Sequence, residues 1–264
     1  MSAPPKPPAP ASAPAQPAKP KPPLGEEPNH TLLWDMIRKR PNPLVSIAYT
    51  VPVFLLYHLG ILGVDRRHEV DFISTSVLRL LNASTPAYVL LTLAMSLLLL
   101  VLAWLQQKRG KVVAHSFKRV LAESLGAALL VLMSIGWATH EVRTGEALDV
   151  PALRLPTKIV LAAGAGFHEE FIFRALLITG ASWALTKLTK WKPWVSLIVC
   201  AIISSALFSL AHYFVLADEE LVMSVAGFRV LEGLMFATLY ITRGFAVAVY
   251  AHCLYDLMAF YLYS

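Results

Sequence analysis

Three short runs hold the residue types that can move a proton or bind a metal: Glu169-Glu170-Phe-Ile-Phe-Arg174, Phe208-Ser-Leu-Ala-His212 and His252-Cys-Leu-Tyr-Asp256. In a helix, Glu170 and Arg174 stand at i,i+4 on one face, where a carboxylate N-terminal to a cation pairs well. Glu169 lies about 100° further round at 3.6 residues per turn. The spacing suggests a division of labour. Arg174 neutralises and orients Glu170, and Glu169 is left as the carboxylate able to take a proton from water. The alternative is a structural ion pair between helices, because Glu-Glu-x-x-x-Arg is common on soluble helices. A lone histidine in an apolar helix is usually a core residue donating to a neighbouring carbonyl. Two on separate segments, one with an acid a turn away, are harder to dismiss.

The residue chemistry allows two sites. In the first, Glu169 and His212 hold and deprotonate a water, while His252 and Asp256 present hydrogen-bond donors to the oxyanion formed when that water attacks an amide carbonyl. Asp256 then acts as a protonated donor or as the group that orients His252. In the second, Glu169, His212 and His252 ligate a divalent metal, as in a zinc hydrolase, with the other carboxylates behind them. The chain has no compact His-Glu-x-x-His run, which disfavours the metal site without excluding it.

These residues sit in an unusual setting. The chain has 264 residues, is 56% hydrophobic and 15% charged, and has a mean hydropathy of +0.58. Several runs are long and apolar enough to cross hydrocarbon, which takes roughly 20 residues. The expected fold is therefore all-α, a polytopic transmembrane helical bundle of about seven spans, with six or eight allowed. The spans fall near 44–63, 86–105, 117–138, 157–179, 194–215, 224–242 and 244–262. An ionised side chain at the bilayer centre costs ~2.5–3.5 kcal/mol, so Glu169, Glu170 and Arg174 must face protein or water. The run Ala162, Ala163, Gly164, Ala165, Gly166 just before the glutamates would let helix backbones approach closely. Pro52 reads as a kink and Pro86 as a helix start. Arg119 with Glu123, and Arg229 with Glu232, have the spacing of helix-face ion pairs and read as structural.

Outside the spans, residues 1–30 hold eleven of the 18 prolines, interleaved with Ala and Lys6, Lys19 and Lys21. That composition predicts a disordered, partly polyproline tail. It lacks the basic start and apolar core of a secretory signal and reads as retained. Residues 31–43 read as an interfacial segment with Trp34 at headgroup level, and 44–264 as the transmembrane domain. Arg38, Lys39 and Arg40, the 106–116 loop and the 180–193 loop place basic residues on one side, against Asp218, Glu219 and Glu220 on the other. A cytoplasmic N-terminus in the cell (inner) membrane is expected. Arg66, Arg67 and Arg79 in the first outer loop run against this, offset by Asp65, Glu69 and Asp71. The net charge of +6 is spread through tail and loops, with no basic stripe for nucleic acid. Cys200 and Cys253 lie in apolar runs and imply neither a disulfide framework nor a thiolate metal site.

Taken in order on successive membrane helices, the three runs resemble the CPBP family, the CAAX proteases and bacteriocin-processing enzymes also called Abi or Rce1-like intramembrane proteases. The resemblance covers about residues 155–264, the protease-like core, and Asp256 stands where the family has Asn or an acid. It implies a glutamate-dependent peptidase with no cofactor, in which Glu169 activates water with His212, and His252 with Asp256 stabilises the oxyanion. Glu170 and Arg174 are supporting residues. The implied partners are a peptide or protein substrate and the lipid bilayer, with the Pro-rich tail available to a further partner. Other readings are a non-catalytic binding or scaffold module of the same family, a zinc-dependent membrane peptidase, and a proton-coupled transporter, since intramembrane Glu and His chains also make relays.

Overall fold

Proline decides where the first helices begin. Pro43 opens helix α1 (Pro43–Tyr49), whose first turn is capped by the Asn42 side chain accepting from the Leu44 N–H at 2.9 Å. Pro52 then lies at the start of α2 (Val51–Gly60), and the two axes are bent by 43° at Thr50. Proline has no N–H to donate and its ring clashes with the carbonyl four residues back, so the kink expected at Pro52 is a break between two short helices.

The computed structural model describes residues 42–64, 71–108, 117–139, 153–215 and 223–262. The expected tail at 1–30, nearly all of the 31–43 segment, and the acidic 216–222 connection lie outside the described residues. Helix α3 (Phe72–Leu80) is capped by Asp71, and α4 (Thr85–Lys108) has Pro86 as its second residue. Helix α5 (Phe117–Thr139) follows. Helix α6 (Leu155–Glu169) passes without interruption into a π-helical segment, Glu170–Ala181, and then into α7 (Ser182–Thr189). Helices α8 (Pro193–Val215), α9 (Met223–Arg243) and α10 (Phe245–Leu262) complete the chain. Among the described residues there is no strand.

Five of these segments are long and apolar enough to cross a membrane: α4, the continuous Leu155–Thr189, α8 up to His212, α9 and α10. The bent pair α1 and α2 makes a sixth. At 23 residues, α5 is about 34 Å long at 1.5 Å per residue and coincides with the remaining expected segment. The polarity of α4 is inverted relative to a soluble helix. Leu90 and Leu97 are 70% and 63% exposed, while Thr92 and Ser96 are buried. An apolar face turned outward with polar groups turned in suits lipid as the solvent. The chain is a polytopic, all-α membrane protein.

One expectation about a connection changes. The 180–193 stretch, expected as a loop, is helical through Thr189, and only Lys190, Trp191 and Lys192 connect α7 to α8. No proline occurs between Gly180 and Pro193 to stop the helix, and it ends where Lys190 takes a left-handed conformation, φ 58°. Arg79, expected in a loop, is on α3.

Helix α10 is the centre of the bundle and packs against α5, α6 and α9. Val247, Ala248, Val249 and Ala251 are fully or almost fully buried. Its approach to α6 is as close as the small-residue run predicts: a Cβ on Gly166 would lie 2.8 Å from the Val249 carbonyl and 2.9 Å from the Cys253 nitrogen. Polar ties hold the first span to it. The Ser46 hydroxyl accepts from the Ala246 N–H at 2.9 Å, and the Tyr250 hydroxyl donates to the Tyr49 carbonyl at 2.9 Å. Gly244, at φ 96°, makes the turn between α9 and α10 that a side chain would strain.

Candidate active site

Glu169 ends α6 and Glu170 begins the π-helical segment, so the two carboxylates flank a change in helical winding. π-helical turns within α-helices occur often at functional sites. The pair faces α10, against which Gly166 sets α6 so closely that a Cβ there would meet the Cys253 sulfur and the α10 backbone. Both are buried, as are Arg174 and His252.

Glu170 is the hub. Its Oε1 accepts from His252 Nδ1–H at 2.8 Å and lies 3.2 Å from Arg174 Nη1. The expected Glu170–Arg174 pair is therefore present, and Glu170 also orients the histidine. Arg174 donates from Nη2 to the Gly233 carbonyl at 3.3 Å. Its guanidinium carbon sits 4.6 Å from the Phe208 ring centre, a cation–π geometry. The arginine is thus held by a charge, a carbonyl and an aromatic face from three different elements.

His252 is fixed from below by Phe236, stacked at 4.4 Å with 11° between planes. With Nδ1–H committed to Glu170, Nε2 is turned to two other carboxylates. Glu169 Oε2 and Asp256 Oδ2 each lie 3.7 Å from it. That gap, longer than a direct hydrogen bond, leaves one ring nitrogen and two carboxylates converging on a common point.

His212 lies near the end of α8. It is half-buried, and its Nδ1 donates to the Phe208 carbonyl of its own helix at 2.9 Å. Its ring lies 4.9 Å from that of Phe208, which in turn is 6.1 Å from the His252 ring. The Phe208 ring is thus the neighbour that both histidine rings share. The structure gathers Glu169, Glu170, Arg174, His252 and Asp256, and His212 adjoins this group at the Phe208 ring.

One residue was missed. Glu232 on α9, read from spacing as a structural helix-face partner of Arg229, is buried with a carboxylate oxygen within 4.8 Å of ligand atoms of His252 and Asp256. The signal available was its position in the apolar run from Val230 to Ala237, since an ionisable residue at membrane depth is a site candidate by default. Glu232, His252 and Asp256 form the one group among the described residues with donor atoms close enough to share a metal ion. The set differs from the Glu169, His212, His252 set expected from sequence. One imidazole nitrogen with two carboxylate oxygens, and Glu170 behind the imidazole, is a donor set a divalent ion such as zinc accepts.

Residues 151–258 match the family described as type II CAAX prenyl endopeptidase Rce1-like, a stretch that contains all three runs. Neither a curated protein nor a solved structure matches the chain.

Proposed function

We propose that this chain, whose residues 151–258 match the Rce1-like family, is an intramembrane endopeptidase that hydrolyses a peptide bond with a glutamate-activated water. Glu169 takes a proton from the water, and the resulting hydroxide attacks the carbonyl carbon. The oxyanion forms where His252 Nε2 meets Asp256, and a proton on Nε2 makes the ring a donor there. As the C–N bond breaks, the proton held by Glu169 passes to the leaving amine. Glu170 and Arg174 keep the His252 ring in register. His212 completes the water site from the end of α8, reaching Glu169 through the water itself.

The observation that carries this reading is the convergence of Glu169 Oε2 and Asp256 Oδ2 on His252 Nε2 inside the helical bundle. Purified protein in detergent, assayed against a peptide library, tests it: the wild type should cut and Glu169→Gln should not, with its fold intact. Turnover by the glutamine variant would end the proposal.

A metal-dependent peptidase is the second reading, favoured by the Glu232, His252, Asp256 cluster. Chelation separates the two. The glutamate mechanism expects less than stoichiometric zinc and activity that survives prolonged chelation. Loss on chelation with recovery on added zinc would transfer the proposal to the metal. The charge pattern further supports a cytoplasmic N-terminus in the cell membrane, with the proline-rich tail open to a soluble partner.

A further inference from the structure

A second buried polar cluster lies on the other side of α6, and most of it comes from the part of the chain that precedes the family match. Asp71, 3% exposed, is its centre. Its Oδ2 accepts from the Tyr57 hydroxyl at 2.6 Å and its Oδ1 from the Ser74 N–H at 2.8 Å. The same Oδ1 lies 3.4 Å from Nε2 of His168, which is 1% exposed. His168 Nδ1 donates to the Gly164 carbonyl at 3.0 Å, so Nε2 is the atom left to face the carboxylate. His58 stands beside it, with its ring 5.4 Å from that of His168 and its Nδ1 2.6 Å from the Tyr88 hydroxyl.

His168 immediately precedes Glu169. Two residues earlier, Gly166 sets α6 against α10. Two residues later the helix has changed to π winding. The rotation of α6 at Glu169 is thus gripped from both sides, by α10 at Gly166 and by Asp71 at His168. With Nδ1–H given to the Gly164 carbonyl, a proton on Nε2 makes the contact with Asp71 a buried charge pair, and such a pair is a stiff grip, because losing one partner leaves the other uncompensated in a low-dielectric interior.

We propose that Asp71, through its ion pair with His168, is a positioning residue for the glutamate pair, fixing the rotation of α6 that presents Glu169 to His252. Tyr57 and Ser74 hold the Asp71 carboxylate in place, so the motif-free α2 and α3 set the geometry of a site they do not enter. The proposal rests on the peptidase reading for its kinetic readout alone.

The test uses the full-length protein with Asp71→Asn, which keeps the shape but not the charge, and Asp71→Glu, which keeps the charge but not the shape. Two measurements are made: kcat and KM on a cleaved peptide, and the rate at which dicyclohexylcarbodiimide labels Glu169, read by mass spectrometry. A displacement near 1 Å can cost about 100-fold in rate, so Asp71→Asn should lower kcat at least about tenfold with KM unchanged and shift the labelling rate at least about threefold. Asp71→Glu should recover most of both. If the asparagine variant matches the wild type, or outperforms the glutamate variant, the ion pair does not position the site. If the wild type cuts no peptide, the peptidase reading fails and the labelling order alone decides. Should Asp71→Asn fail to fold, His168→Gln, which removes the other partner of the pair, carries the test. An unchanged labelling rate in that variant overturns the proposal.

Discussion

Replacing Glu170 by Gln removes one negative charge and keeps the side-chain shape. Arg174 is 1% exposed and would be left with the Gly233 carbonyl at 3.3 Å and the Phe208 ring, neither of which carries charge. Breaking a buried pair from one side costs about 3–5 kcal/mol. At about 2–4 °C per kcal/mol for a chain of this size, the melting midpoint should fall by roughly 10 °C. Glu169→Gln is the control. Glu169 is 3.7 Å from His252 Nε2, and without its charge that histidine still has Glu170 at 2.8 Å and Asp256 at 3.7 Å. Its midpoint should move by less than about 3 °C. Thermal unfolding of both variants in one detergent, alongside peptide turnover, separates base from support. Equal loss of activity with equal midpoints would refute the division of roles argued from the geometry.

Three further outcomes are expected. Gly166→Ala places a Cβ 2.8 Å from the Val249 carbonyl, which is backbone and cannot swing aside; overpacking should cost about 1–3 kcal/mol and reduce turnover together, and an unchanged midpoint would contradict the close approach. His212→Ala removes a half-buried ring bonded to its own helix, so stability should hold while turnover drops at least about 100-fold; full activity would remove His212 from the mechanism. A single cysteine placed in the proline-rich tail, in a chain with Cys200 and Cys253 replaced, should be shielded from an impermeant thiol reagent in intact cells, and labelling from outside would reverse the orientation.

The sequence by itself determined the class of the protein and one face of its site. Apolar runs of spanning length left no alternative to membrane helices, and all seven expected segments coincide with helices. Local spacing also determined the Glu170–Arg174 pair, because residues four apart on one helix meet whatever surrounds them. The close approach of α6 to α10 was legible in the small residues that end at Gly166. What spacing could not supply was the rotation of one helix against another. In lipid the spans are apolar nearly all round, so periodicity does not mark which face turns inward. Only the tertiary structure decided that Glu170 reaches His252, 82 residues away, that Glu232 enters the cluster while His212 packs on Phe208, and that Asp71 meets His168. Each of these depends on the crossing of helices from distant parts of the chain, and that crossing is set by where glycine, alanine and buried hydrogen bonds let backbones come together.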